Sequence, residues 1–460
     1  MKRILYILFS LSFLAACSNN EPTIIEGETA QGVRFYLVKK PEEKRVAIKI
    51  AWLSDWAYGE DNNPIAPYIG AQLLLAGGAV GFPAGVAGEK FADWDSQGFI
   101  NTNSDYAFGE LYFEKAYLSE TIEIAQAHLH KPLFEEKWRA RIEDEFAKKI
   151  TEVKKQPIAK GFNVARAIVM GDQPLRRYLS LDQQDLLNGV ERSDIVRWHE
   201  KTIVSDPHSV VITGDLSESE AEQAVDQLLA GLPKRQKSLS KIIEANYEAT
   251  TIVLHEESAA QSQLIFIAAM PPVHEGHAFA DIMLQRALGY GETSVLHKTV
   301  REQLRASYFF EAGFAQYNTN NRFLFMTGAV DDAKLEKSVA AIKAAYGEFK
   351  RVGTAGQLTE LKEPLIDSMK KIKEDYYHLN TTTFENVLTG FKASRVLNLL
   401  DELNDVTQAD VQKRLEDAFP QFDDFIVIAV SKNPEALPGA CVIAHVNEVE
   451  RCLAPRDKAI

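Results

Sequence analysis

The chain has 460 residues, 46% hydrophobic and 25% charged. One hydrophobic core rarely outgrows ~250–300 residues, so two domains are expected, and the composition excludes a disordered chain, a collagen-like repeat and a coiled-coil rod. With 51 Lys+Arg against 65 Asp+Glu the net charge is −14, no basic block offers a footing for nucleic acid, and three cysteines are too few for a disulfide scaffold or a multi-cysteine zinc module.

Lys2 and Arg3 precede an apolar stretch, residues 4–13, and then Leu14-Ala15-Ala16-Cys17-Ser18. A short positive region, an apolar run and small residues form a signal-peptide pattern. Because it ends in cysteine, it resembles a bacterial lipobox. The resemblance implies a lipoprotein signal at residues 1–17, cleavage before Cys17 and acylation of that cysteine. Ser18, rather than Asp, suits sorting to the periplasmic side of the outer membrane. An ordinary secretory signal with a chance cysteine is the alternative. Loss of residues 1–16 removes two cations and takes the net charge to −16. The lipid anchor is the only membrane attachment expected. Residues 64–88 are uncharged and long enough to span. Pro64, Pro67, Pro83 and the interspersed glycines make them a poor continuous helix, read instead as a buried helix, 66–76, running into a Gly-rich loop.

The rest of the chain is written twice. Residues 45–53 alternate and then turn fully apolar, a half-buried and then buried strand, and residues 262–270 are their counterpart. An apolar helix follows each, 66–76 and 277–288, ending at Gly77-Gly78 and Gly289. Strand–turn–strand segments come next, 99–113 and 307–330. Their turns centre on Thr102-Asn103-Ser104-Asp105 and Asn318-Thr319-Asn320-Asn321. Helices 119–130 and 332–349 follow, then long charged helices 135–155 and 358–377, and each half closes on an apolar strand, 209–213 and 425–429. The expected class is α+β, an α/β sandwich used twice. Residues 25–231 form the first domain, 232–249 the linker, 250–435 the second domain and 436–460 a C-terminal tail. Cys441 and Cys452 in that tail form a disulfide or remain two thiols; export favours the bond, and spacing alone does not decide.

This layout and several local motifs resemble the insulinase/pitrilysin family of zinc peptidases, in its small two-domain, mitochondrial-processing type, over about residues 25–435. The resemblance implies two homologous domains in the clamshell arrangement of that fold. Family members carry H-x-x-E-H on the first buried helix: two zinc-binding histidines, with a glutamate as general base, and a third ligand glutamate on a later helix. Leu73-Leu74-Leu75-Ala76-Gly77 and Gly98-Phe99-Ile100-Asn101-Thr102-Asn103 set the register. It puts Tyr68 and Gln72 in the histidine slots and Ala71 in the base slot, on one helical face. The third-ligand slot falls at Lys148 or Lys149, with Glu145 and Glu152 a turn away. None of Tyr68, Ala71, Gln72 and Lys149 suits its family role, so no catalytic residue and no metal are expected in this chain.

In the second domain, family members bring an Arg and a Tyr seven positions apart to the substrate backbone. Arg301 and Tyr308 have that spacing, in Arg301-Glu302-Gln303-Leu304 and Ala306-Ser307-Tyr308-Phe309. The alternative is an exposed helix arginine and a Tyr packed on the core. Of the 10 histidines, His128 and His130 lie two apart on one helix and so diverge, and His255 reads as a solvated turn. His274-Glu275-Gly276-His277 is the best local cluster but fits no zinc motif. No G-x-S-x-G, P-loop or dinucleotide fingerprint occurs.

The resemblance implies a non-catalytic, peptide-binding subunit that forms a heterodimer with a zinc-bearing partner of the same family. The zinc would sit in the partner, and peptides are the expected substrates. Two other readings stand beside it: a stand-alone peptide-binding or scaffold lipoprotein on an inactive peptidase fold, and an active hydrolase with an unrecognised site. A neighbouring gene encoding an intact H-x-x-E-H chain favours the first, an isolated gene the second, and chelator-sensitive cleavage by the chain alone the third.

Overall fold

The computed structural model describes residues 21–453 apart from 179, 181–183, 237–240, 274–276 and 355. Cys17 and the signal segment, and His274 to Gly276, lie outside the described residues.

Two six-stranded mixed sheets carry the fold. The first holds β1 (Thr23–Glu28), β2 (Arg34–Lys39), β3 (Arg45–Leu53), β4 (Gln97–Thr102), β5 (Tyr106–Glu114) and β6 (Ser209–Gly214), ordered β1-β2-β6-β3-β5-β4. The second holds β7 (Thr251–His255), β8 (Ser262–Met270), β9 (Phe310–Gln316), β10 (Arg322–Val330), β11 (Ile426–Ser431) and β12 (Cys441–Ile443), ordered β12-β7-β11-β8-β10-β9. Five strands correspond one to one, including the parallel pairs β2/β6 and β7/β11. The sixth differs. In the first sheet it is an N-terminal hairpin strand, antiparallel to β2; in the second it is β12, parallel to β7. The segment after residue 435 is therefore not a separate tail. It adds an edge strand, tied by a Cys441–Cys452 disulfide with a Cα separation of 5.7 Å.

The helices of the first half are α1 (Ala66–Ala76), α2 (Val86–Asp93), α3 (Leu118–His130), α4 (Glu136–Lys154), α5 (Pro157–Met170), α6 (Pro174–Tyr178), α7 (Gln184–Asn188), α8 (Arg192–Thr202) and α9 (Glu218–Leu229). Those of the second are α10 (Ala278–Gly289), α11 (Leu335–Val352), α12 (Leu358–Glu374), α13 (Tyr376–Leu388), α14 (Leu399–Asp405) and α15 (Gln408–Ala418). Two elements differ from expectation. The Gly-rich loop after α1 gives way to α2. The long charged helix expected to run to Tyr377 breaks at Asp375, whose backbone is extended and whose carboxylate caps α13 at the His378 N–H.

Each sheet is covered on one face by its own half and on the other by a helix of the opposite half. Val46, Ile48, Ile50 and Trp52 of β3 share a core with α1, α3, α8 and α9. The opposite face of the first sheet, through Val38, Ala51 and Val211, packs with Leu379 and Phe384 of α13. Reciprocally, Val164, Ala165 and Ile168 of α5 pack on Ile252, Ile265 and Ile428 of the second sheet. Burial on both faces explains why β3 is buried from Val46 to Trp52 rather than alternating. Gly161 lets α5 approach β8 closely, since a Cβ there would fall 2.4 Å from Ile265 Cδ1. Asn380 of α13 is fully buried, and its amide donates to the Ala47 and Val211 carbonyls and to the Thr213 hydroxyl.

The two hairpin turns expected to be equivalent meet each other. Ser104 Oγ donates to the Tyr317 carbonyl at 2.8 Å. The Thr319 N–H and hydroxyl both donate to Asp105 Oδ2 at 2.6 Å. Tyr58 donates to Asp105 Oδ1 at 2.7 Å and accepts from Asn318 Nδ2 at 3.0 Å.

Candidate functional site

α1 sets the three family slots. Pro67 opens the helix, and Gly70 lets it press on α8, because a Cβ there would meet the Trp198 ring at 2.5 Å. Ala71 is buried, Gln72 is exposed and Tyr68 is largely buried. The Tyr68 ring stacks on Phe146 of α4, with centroids 5.7 Å apart, and on Tyr178 of α6 at 5.4 Å. The α4 side chain that meets Tyr68 is thus Phe146, three residues before Lys149. Lys149 is exposed, and Lys148 pairs with Asp144 at 2.6 Å.

The electrostatics of this slot run against metal binding. Burial raises the Tyr68 phenol pKa, outweighing the opposing effects of its hydrogen bond with Tyr178 and of the Arg166 charge. Burial pushes Tyr178 well above its usual range. Both phenols therefore stay protonated at neutral pH, whereas zinc is held by neutral imidazole, thiolate or carboxylate. The Tyr178 hydroxyl donates to the Asn103 carbonyl at 2.8 Å, so the slot is tied into the β4–β5 turn as a neutral hydrogen-bonded chain. Tyr68, Ala71, Gln72 and Phe146 do not fit zinc and a base. Among the described residues, no group of three or more His, Cys, Asp or Glu side chains is placed to hold a metal ion. No helix of the described residues is long and apolar enough to cross a membrane.

Arg301 lies on a π-helix, His297–Gln303, and its Nη1 is 3.2 Å from His297 Nε2. Just beyond the helix Arg305 takes a left-handed φ of 48°, and the Ala306 N–H closes on the Val300 carbonyl at 3.0 Å. That turn throws the next residues outward. Tyr308 is 85% exposed and Phe309 61%. β9 begins at Phe310, so Tyr308 sits on the arm before the strand instead of starting it. An aromatic residue this exposed is not serving the core.

The sequence did not single out Phe146, Tyr178 or Arg166, which shape the slot around Tyr68. Tyr178 and Arg166 come from short or crossing helices whose neighbours are set by the tertiary fold. The pairing of the two turns did leave a signal, two polar Asn-rich turns at equivalent places in a repeat.

Residues 189–365 match the family model described as the Peptidase M16 inactive domain. Among solved structures, the chain is similar to a peptidase M16 inactive domain from Pseudomonas fluorescens, at 17% identity and TM-score 0.78, covering 92% of this chain and 99% of that one. It is similar to a protease from Helicobacter pylori at 12% identity and TM-score 0.76, covering 89% of this chain and 100% of that one. It is also similar to the periplasmic protease PqqL from Escherichia coli at 13% identity and TM-score 0.66, covering 93% of this chain but 50% of that one. No curated protein matches the chain in sequence. Residues 189–365 thus match the inactive-domain model of the M16, insulinase-type peptidases, and nearly the whole chain shares the fold of a solved M16 inactive domain.

Proposed function

We propose that this chain is a non-catalytic, peptide-binding subunit that supplies Arg301 and Tyr308 to a zinc-bearing M16 partner. The observation that carries the reading is a contrast between the halves. The first half has Tyr68, Ala71 and Gln72 in its family slots, with the Tyr68 ring stacked on Phe146 and Tyr178, while the second leaves Tyr308 standing in solvent. The likeness to half of a two-part periplasmic protease supports a partner of the same fold. Arg301 would offer a fork of donors and Tyr308 a hydroxyl to the substrate backbone or the developing oxyanion.

Co-expression with a neighbouring zinc-bearing subunit, followed by peptide hydrolysis, tests the pair. Tyr308→Phe deletes one exposed hydroxyl and should leave folding and assembly intact. Loss of such a donor costs ~2.7–4 kcal/mol of transition-state stabilisation, so activity should fall by about 10²-fold or more. Gln72→Ala, in the slot that does not fit zinc, should change activity little. Full activity in Tyr308→Phe removes the pair from the mechanism.

The same reading places the protein on the periplasmic side of the outer membrane, anchored through acylated Cys17. Stable anchoring needs more than one acyl chain. Cys17→Ser should move the protein to the soluble fraction; unchanged fractionation would sink the anchor.

A further inference from the structure

Between β3, α1 and α3, on the face of the first sheet away from α13, lies a partly open cavity of about 150 Å³. Ile50, Leu75, Phe91, Ile124 and Ala125 are among its walls, and His128 of α3 lines it as well. A cavity of about that size walled mainly by aliphatic and aromatic side chains has room for a benzene-sized molecule. Its cover is α2, a helix with no buried side chain, entered through Gly85 at φ 94°.

Two residues of the lining carry polar side chains: Glu110, which accepts from the Tyr112 hydroxyl and pairs with Lys49, and His128. His128 is only 6% exposed. Its Nδ1 is 2.8 Å from the Ile124 carbonyl, an atom that can only accept, so Nδ1 carries the hydrogen. Burial lowers the pKa of the ring, which is therefore neutral. Nε2, on the side of the ring turned away from the α3 backbone, is then a bare acceptor. It is buried without a hydrogen-bond partner. Buried polar atoms in folded proteins are nearly always paired, and an orphan beside an apolar cavity points to a missing donor.

We infer that the first domain holds a binding site for a small, apolar, single-ring molecule carrying one hydrogen-bond donor, of the phenol class. The ring fills the cavity under α2, and its hydroxyl donates to His128 Nε2. Anions and strongly polar molecules are excluded by the apolar walls and by the neutral acceptor. This site is independent of Arg301 and Tyr308, and of any partner chain.

The test is a calorimetric titration of the mature protein with 4-methylphenol and with toluene, two probes that differ by the hydroxyl. Wild type should bind both, the phenol up to about tenfold more tightly, the typical gain from one neutral hydrogen bond. His128→Leu should bind toluene as before and lose the preference. Ala125→Phe should fill the cavity and abolish both. If Ala125→Phe does not fold, the comparison of His128→Leu with wild type decides alone. Failure of wild type to bind either probe overturns the site, and a phenol preference that survives His128→Leu overturns the role of His128.

Discussion

Asp105 is the sharpest point at which to test how the two halves are joined. Its carboxylate is 5% exposed and receives three short hydrogen bonds, from the Tyr58 hydroxyl and from the N–H and hydroxyl of Thr319. Lys241 Nζ lies 3.7 Å from the same carboxylate and gives a fourth, weaker attraction. Hydrogen bonds to a charged acceptor contribute about 1.5–3 kcal/mol each, and these are not additive because they share one group. Asp105→Asn keeps the shape, removes the charge and turns an amide toward donors, so the expected loss is about 2–4 kcal/mol. Against a typical total of about 5–15 kcal/mol, that is a large fraction. Thr319→Val removes only the hydroxyl bond and should cost about 1–2 kcal/mol. Urea unfolding followed by far-UV circular dichroism measures both. In the double variant the two losses should overlap by about 1 kcal/mol or more, since they break the same contact. Singles that each cost under about 0.5 kcal/mol and add without coupling would show that the turns touch without holding the halves together.

Two further outcomes follow from the buried charges. Asp281, 1% exposed, bonds Arg414 through both oxygens at 2.7 and 3.1 Å and Arg322 at 2.7 Å, so Asp281→Asn leaves the buried Arg414 guanidinium and the part-buried Arg322 guanidinium short of an anion. The expected cost is ~3–5 kcal/mol, read as a lower urea midpoint, and an unchanged midpoint would refute it. His128 and His199 have pKa values lowered by burial, and His208 by burial together with Lys241 and Arg235. Unfolded histidine takes its proton near pH 6.5, so below that the unfolded chain binds more protons than the folded one. Stability should therefore be full above about pH 6.5 and fall as the pH drops further; a midpoint that is flat or rises from pH 7 to 5 contradicts it.

Much of this fold is legible in the sequence. The repeated order of central strand, apolar helix, hairpin and long helix depends on local periodicity, and the boundaries of β3, α1 and β8 come out residue for residue. What escapes is what depends on distant partners. Nothing local in residues 376–388 says that Asn380 will bond to the carbonyls of Ala47 and Val211. Cys441–Ile443 is too short a run to read as a strand until β7 is beside it. In the candidate site the three altered slots, Tyr68, Ala71 and Gln72, come from the register of the family resemblance. The surrounding Phe146 and Tyr178 do not, because contact between helices depends on crossing geometry that spacing on one helix does not contain.

The exchange of α5 and α13 between the halves has a consequence for how the chain comes to be folded at all. The first sheet is complete in sequence at Gly214, yet one of its faces waits for residues 376–388. Until then Val38, Ala51 and Val211 have no cover. The first half therefore cannot bury both faces of its sheet until α13 of the second half is present, while the second half depends on α5 of the first. A chain cut within the linker would give two fragments that each expose an apolar sheet face, soluble only when both are present together.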